Sequence, residues 1–256
     1  VMDEYINQMT LGTIDECLAR LVFRFLPDKC QVENQLLKNS KQFVFQHIIP
    51  RNILDHKSST IAVVGTINND FPGHVVLQTS QNMSISAYFL RLSIQSICER
   101  KSANVDEFTS FILNSPFFDP SKRPILERGI KAYFENDQIV AIHLLIPQIE
   151  DAIRTVVEEC GGTAMKINRN NHCLQAKLFD ELLREQIVTT VFGEDWAWYF
   201  RILFTDSRGW NVRNSVCHGL SSIDTFSIQV SDRVIHALLF LGMFRKKSPT
   251  SGSSGN

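Results

Sequence analysis

The sequence lacks the signatures of several protein classes. Its 256 residues contain 26 lysines and arginines and 27 aspartates and glutamates, which gives a net charge of −1. A protein that grips nucleic acid with its whole surface needs a basic excess, so any RNA contact here must come from a local patch. There is also no glycine-rich phosphate loop of the P-loop or dinucleotide-fold kind, no H-E-x-x-H motif and no serine-nucleophile elbow. A nucleotide-binding or small-molecule enzyme of those kinds therefore has little support.

Disulfide, zinc and membrane signals are absent as well. The six cysteines form no CxxC pair and no histidine lies at zinc-ligand spacing from them. We therefore expect reduced, buried thiols in an intracellular, cytoplasmic protein, with no metal site and no cofactor. The cysteines are Cys17, Cys30, Cys98, Cys160, Cys173 and Cys217. The start of the chain does not resemble a signal peptide, and the apolar runs are too short to cross a bilayer. Because the chain begins with Val1, a longer parent protein with its own membrane anchor stays open.

What is present is typical of a globular chain, with 44% hydrophobic and 21% charged residues. Apolar residues at helical spacing predict a mainly α fold. The predicted helices are Met2–Phe25, Gln31–Ile49, Ser84–Lys101, Asp106–Leu113, Ile125–Glu135, Gln138–Cys160, Ala176–Gln186, Phe192–Thr205 and Ser227–Phe244. Thr60–Leu77 is rich in β-branched residues, glycine and asparagine, which predicts an irregular loop or short hairpin, and Met165–Leu174 reads as a polar loop.

Prolines at 116, 120 and 124 suggest a boundary between two parts of the chain. Residues 1–115 form an N-terminal helical region to which we assign no role. Residues 120–247 form a C-terminal helical domain, and the Ser- and Gly-rich residues 248–256 are expected to be a disordered tail.

The strongest local pattern is the stretch Trp210–Leu220, WNVRNSVCHGL. Arg213, Asn214 and His218 spell RNxxxH, and Gly219 follows. On a helix Asn214 and His218 share a face, and the long Arg213 side chain can swing beside the imidazole. Metal-independent cleavage of an RNA phosphodiester needs a base that titrates near neutrality and a cation for the phosphate. The alternative is a helix end with a solvent-facing arginine and a satisfied histidine.

A polar ribbon runs along the predicted helix Gln138–Cys160, where His143, Glu150 and Arg154 share one edge of the apolar stripe. The functional interpretation places Glu150 or His143 against Arg213 and so holds its guanidinium. The alternative is a solvated helix face.

Three further basic residues are weak candidates for RNA contacts, namely Lys166, Arg169 and Arg208.

RNxxxH occurs a second time at Arg51, Asn52 and His56. Pro50 restricts this copy to a helix start, and the β-branched stretch behind it leaves room for only a turn or two. The second copy stands between two longer helices, so we favour Arg213 and His218, with the role of the first copy left open.

RNxxxH on a helix of an all-α bundle resembles the HEPN superfamily, many of whose members are RNA-cleaving toxins or defence nucleases. More closely, the run from HLLIPQIEDAIR (His143–Arg154) to WNVRNSVCHGL is similar to a domain family of unknown function defined by an RNxxxHG signature. That family also occurs in the endoplasmic-reticulum membrane-associated RNA degradation protein. The similarity covers roughly Gln138 to Ser227.

The resemblance implies an up-and-down four-helix bundle that acts as a homodimer, with one motif from each protomer facing a symmetric cleft. Arg213 would steady the phosphate, His218 would act as general acid or base, Asn214 would orient them, and Gly219 would allow close approach of the partner helix. The implied products are a 2′,3′-cyclic phosphate and a 5′-OH, without a metal. A two-fold axis also supplies a second histidine, so that base and acid need not be one group. Cys217 departs from the small or aliphatic residue expected at its position.

A second hypothesis from a different class is a non-catalytic helical adaptor or RNA-binding module, in which RNxxxHG only holds the bundle together. The near-neutral charge favours it. Substituting Arg213 separates the two hypotheses, since only the nuclease should lose an activity.

Overall fold

A computed structural model describes residues 2–42, 49–55, 57–168 and 172–245. The described chain is mainly helical, which confirms the predicted fold class. The α-helices are α1 (Met2–Met9), α2 (Ile14–Arg24), α3 (Lys29–Gln42), α4 (Phe71–Lys101), α5 (Val105–Leu113), α6 (Arg123–Phe134), α7 (Gln138–Glu159), α8 (Phe179–Leu183), α9 (Gln186–Phe192), α10 (Glu194–Phe204), α11 (Val212–Cys217) and α12 (Ile228–Gly242). The end of the predicted helix Gln31–Ile49 and the predicted tail lie outside the described residues.

Two small antiparallel hairpins interrupt the helices. The first pairs β1 (Arg51–Leu54) with β2 (Thr60–Val64), so only its second strand lies in the segment Thr60–Leu77, for which a loop or short hairpin was predicted. The second pairs β3 (Met165–Ile167) with β4 (Leu174–Ala176), where the sequence predicted only a polar loop.

Helix α4 begins well before the predicted Ser84 because its first turn is capped. Asp70 accepts a hydrogen bond from the backbone N–H of Gly73 at 3.0 Å. Pro72 lies in the first turn, where its missing N–H costs no helical hydrogen bond. The prediction of a loop as far as Leu77 was therefore wrong.

The predicted helix Met2–Phe25 is divided into α1 and α2 for a related reason. Gly12 adopts a left-handed conformation with φ +88°, which a helix cannot continue through. Thr13 and Glu16 then form a reciprocal capping box that starts α2.

Helix α12 lies at the centre of the fold, and every residue from Val230 to Gly242 is buried. It packs against α2, α4, α5 and α7. Since no side of this helix faces water, its polar side chains must be satisfied inside the protein. The hydrophobic core continues from the N-terminal helices into the C-terminal ones. The division at 115–120 therefore does not separate two hydrophobic cores, and its meaning as a domain boundary stays a prediction.

The cysteines differ from expectation. None of the six, which all lie in the described residues, forms a disulfide; only Cys17 is buried, and Cys98 is partly buried. The remaining four are exposed: Cys30, Cys160, Cys173 and Cys217. The expectation of buried thiols was thus wrong for these four.

Within the described residues, none of the helices combines the length and apolarity needed to cross a membrane.

Candidate functional site at the RNxxxHG motif

The motif lies on α11, a helix of only six residues. Its N-cap is Asn211, with φ 50° in the left-handed region. His218 is the C-cap residue, and its backbone N–H donates to the carbonyl of Asn214 at 3.1 Å. Gly219 follows with φ +65°, the conformation that commonly terminates helices. The motif therefore spans a single short helix together with its two ends.

The guanidinium of Arg213 is held by Glu150 on α7. Its Nε lies 2.9 Å from Oε2 of Glu150 and its Nη2 lies 3.4 Å from Oε1. Both side chains are largely buried, with exposed fractions of 16% and 17%. The predicted contact between the ribbon on α7 and Arg213 is therefore present, and it is made by Glu150.

Arg154 binds the same carboxylate. Its Nη2 lies 3.1 Å from Oε1 of Glu150, one helical turn away. Two guanidinium groups thus share one carboxylate, so the group of three carries a net charge of +1. A cluster with one uncompensated positive charge can attract a phosphate.

Asn214 orients Arg213 and anchors α11. Its Oδ1 accepts a hydrogen bond from Nη1 of Arg213 at 3.3 Å. Its Nδ2 donates to the carbonyl of Thr205, at the end of α10, at 3.2 Å and to Oδ1 of Asn211 at 2.9 Å. All of these contacts lie within the chain, so Asn214 links α11 to α10 and at the same time fixes the arginine.

His218 differs from its neighbours because its side chain is exposed. Across the described residues no hydrogen bond or ion pair holds its imidazole. Cys217 and Leu220 beside it are also exposed. Partial burial raises the pKa of the Cys217 thiol, an effect that nearby Arg213 opposes.

His143 does not share in this arrangement. Its Nδ1–H donates to the carbonyl of Ile139 at 2.7 Å, and its ring stacks on Phe226 at a centroid distance of 5.1 Å. Glu150, and not His143, therefore takes the place opposite Arg213.

The weak RNA-contact candidates are engaged in ion pairs where they are described. The ammonium group of Lys166 lies 2.6 Å from Glu181, and the guanidinium of Arg208 lies 2.8 Å from Asp206. Arg169 lies outside the described residues.

The first RNxxxH copy does not begin a helix, so that prediction was wrong. Arg51 and Asn52 lie on β1, paired with Val64 and Val63 of β2. These residues form a strand and not a helix start, because the β-branched segment Thr60–Val64 supplies a partner strand. His56 lies outside the described residues.

Sequence reasoning missed a polar group on α12. Asp232, Arg233 and His236 are fully buried. Tyr133 donates to Oδ1 of Asp232 at 2.6 Å, and Arg91 lies 3.3 Å from the same oxygen. Burial raises the pKa of Asp232 to about 6, although both partners oppose this shift. The sequence indicated this cluster only by placing three ionisable residues inside an apolar run.

His236 is neutral and its tautomer follows from its partners. Its Nε2 lies 2.9 Å from the carbonyl of Val22, which can only accept, so Nε2 carries the proton. Its Nδ1 then accepts from the hydroxyl of Tyr199 at 3.0 Å. Burial and the charge of Arg233 lower the pKa of His236 to about 3.

No group of three or more His, Cys, Asp or Glu side chains placed to hold a metal ion occurs in the part of the chain that the structure describes. Comparison with protein-family models, with curated proteins and with solved structures gives no match.

Proposed function

We propose that this protein is a metal-independent endoribonuclease of the HEPN type that acts as a homodimer. The observation that carries the proposal is the contrast within the motif. Arg213 is fixed by Glu150 and Asn214, whereas the imidazole of His218 at the end of the same short helix is exposed. A positioned cation and an accessible proton-transfer group are what phosphodiester cleavage requires, and here both belong to one short helix and its C-terminal end.

In this mechanism His218 of one copy takes the proton from the ribose 2′-OH, and the 2′-oxygen attacks phosphorus. The bond from phosphorus to the 5′-oxygen breaks, and the protonated His218 of the second copy gives its proton to that oxygen. The products are a 2′,3′-cyclic phosphate and a 5′-OH. The positive cluster around Arg213 stabilises the charge that gathers on the phosphate.

The surface near His218 supports a second copy. Leu220 and Ile223 are 54% and 71% exposed, and both belong to the segment that follows the histidine. Exposed aliphatic side chains of this size are the kind that a protein interface covers. A two-fold axis there would place two His218 side chains across one cleft.

The implied four-helix bundle also has candidates in the structure. Helix α6 packs on α7, and α7 packs on α12. Helix α10 packs on α12 through Trp196 and Phe240, whose rings stack at 3.6 Å. We propose that α6, α7, α10 and α12 correspond to the four helices.

The test is cleavage of a defined RNA in EDTA by the purified protein and by His218→Ala. We expect at least a hundredfold lower rate for the variant, since a general acid or base contributes roughly 10²–10⁴-fold. His172→Asn is the matched control, because His172 is exposed and adopts a left-handed φ that asparagine tolerates. Equal rates for all three proteins would rule out the mechanism, as would products with 3′-OH ends.

A second candidate is a non-catalytic adaptor or RNA-binding module. It is favoured by the internal contacts of Arg213 and Asn214, which are those of residues that hold helices together. Under this hypothesis Arg213→Ala lowers the melting temperature, and the wild-type protein shows no cleavage that His218→Ala removes.

A further inference from the structure

A cavity of about 370 Å³ opens between the end of α2, the start of α3 and the helix α4. Part of its wall is apolar and aromatic, with Tyr5, Phe25, Leu26 and Phe89 among the lining residues, and the rest is polar. A volume above about 300 Å³ is in the range of pockets that hold small organic ligands. No residue of the RNxxxHG motif lines this cavity, and the inference does not depend on RNA cleavage.

The base of the cavity is formed in part by Arg233 of α12, whose side chain is fully buried. Its Nη1 donates to the carbonyl of Phe25 at 3.0 Å. Its Nη2 donates to the carbonyl of Met83 at 3.1 Å and to the hydroxyl of Ser86 at 2.7 Å. These bonds use three of the five N–H groups of a guanidinium, and Nε is without a partner.

Arg233 also has no close ion-pair partner among the described residues, although the charge of Asp232 acts on it from a greater distance. Among the described residues no carboxylate oxygen lies within 4 Å of its guanidinium. The adjacent Asp232 is engaged by Tyr133 and Arg91 through Oδ1 only, and its buried Oδ2 has no hydrogen-bond partner. Asp28, which lines the cavity, accepts from the backbone N–H of Gln31 at 2.8 Å. A guanidinium cannot lose its proton in a protein, and an unpaired buried charge is costly.

We propose that this cavity binds a small organic monocarboxylate with an apolar or aromatic body. The carboxylate would neutralise Arg233 and accept a hydrogen bond from its unpartnered Nε–H, and the body would contact the apolar part of the wall. Arg24 lines the cavity and is exposed, so it adds a second positive charge against the single carboxylate of Asp28. Contact with the guanidinium requires a small side-chain movement, which the flexible Met83 in the wall can provide.

The probes are phenylacetate and octanoate, each compared with the neutral alcohol of the same body, 2-phenylethanol and octan-1-ol. Acetate carries the same charge but no large apolar body, so it measures the contribution of the charge alone. Calorimetry and thermal unfolding of the whole protein should show binding of a carboxylate at least tenfold tighter than of its alcohol and of acetate. Equal affinity for a carboxylate and its alcohol would contradict recognition of the charge by Arg233. Equal affinity for acetate and the larger carboxylates would contradict the contribution of an apolar body.

Two variants locate the binding. Arg233→Lys keeps the charge but loses the planar fork, and we expect at least tenfold weaker binding. Asn82→Phe leaves Arg233 intact and fills the cavity from its α4 wall, so it should abolish binding even if Arg233→Lys does not fold. Asn34→Phe places the same ring on the exposed face of α3 and should bind like the wild type. Unchanged affinity in Asn82→Phe would overturn the assignment of the cavity.

Discussion

The guanidinium of Arg213 donates to both carboxylate oxygens of Glu150, a residue 63 positions earlier in the chain. The carboxylate therefore orients the cation and partly neutralises it at the same time. A phosphate bound at this site has to compete with Glu150 for Arg213, or to rely on the net positive charge that Arg154 adds.

Glu150→Gln tests this relationship. The amide keeps the shape of the side chain but leaves two guanidinium groups without a carboxylate. We expect a loss of about 1–3 kcal/mol in the free energy of unfolding, measured by urea denaturation. Glu127→Gln is the matched control, because Glu127 forms an i,i+4 pair with Arg123 that is about 40% exposed on both sides. It should cost at most roughly 0.5 kcal/mol. Equal losses in the two variants would contradict a supporting role for Glu150.

Asn214→Ala removes the hydrogen bonds to the carbonyl of Thr205 and to Asn211. We expect a loss of about 1–2 kcal/mol in unfolding free energy, since a partly buried carbonyl loses its partner. If the nuclease proposal holds, the cleavage rate falls as well, because Arg213 is no longer oriented from two sides. A variant with wild-type stability would show that Asn214 does not anchor α11.

Asp232 and His236 should give opposite pH dependences of stability. The pKa of His236 is lowered to about 3 in the folded protein. Between pH 3 and its usual value of about 6.5 the unfolded chain binds a proton that the folded protein does not, so stability falls as pH falls. The pKa of Asp232 is raised to about 6 from 3.8. Between these values the folded protein binds the extra proton, so stability rises as pH falls and is lost as pH rises.

The two effects nearly cancel between pH 4 and 6 in the wild type. Asp232→Asn should therefore expose the slope of His236, a loss of about 1.4 kcal/mol for each pH unit of acidification. His236→Asn should expose the opposite slope of Asp232. Urea denaturation at several pH values gives the unfolding free energy as a function of pH for each variant. Curves parallel to that of the wild type in both variants would contradict the assigned pKa shifts.

The cysteines predict a labelling pattern. In native protein a thiol reagent should modify the four exposed residues, Cys30, Cys160, Cys173 and Cys217. Cys17 is buried, and burial raises the pKa of Cys98 to about 11, so both should react only after unfolding. Mass spectrometry of peptides from native and unfolded samples gives the pattern. Rapid native labelling of Cys17 would show that α2 opens readily.

The sequence predicted a contact between the polar ribbon of α7 and Arg213, but it left Glu150 and His143 as alternatives for the contacting residue. An apolar stripe with helical period fixes the orientation of α7, and it places Glu150 and Arg154 on one edge of that stripe. The length of α11 was not predictable, because it depends on the left-handed backbone of Asn211. Nothing in a propensity pattern distinguishes that conformation from a continuing helix.

The burial of the charged residues of α12 could not be predicted from the sequence, for a different reason. Its apolar period is regular, and a regular amphipathic helix keeps its charged residues in water. Tyr133 and Arg91 engage Oδ1 of Asp232, and the carbonyls of Phe25 and Met83 accept from Arg233, although Oδ2 of Asp232 and Nε of Arg233 have no partner. These partners lie far away in the sequence and become neighbours only in the folded chain.

The central position of α12 also constrains how the chain is made. Arg233 and His236 bond to carbonyls of Phe25 and Val22, which leave the ribosome more than two hundred residues earlier. Until α12 has been synthesised, the surfaces of α2 and α4 that it covers in the folded protein lack this partner. A nascent chain halted before α12 would expose these surfaces to chaperones and to other nascent chains.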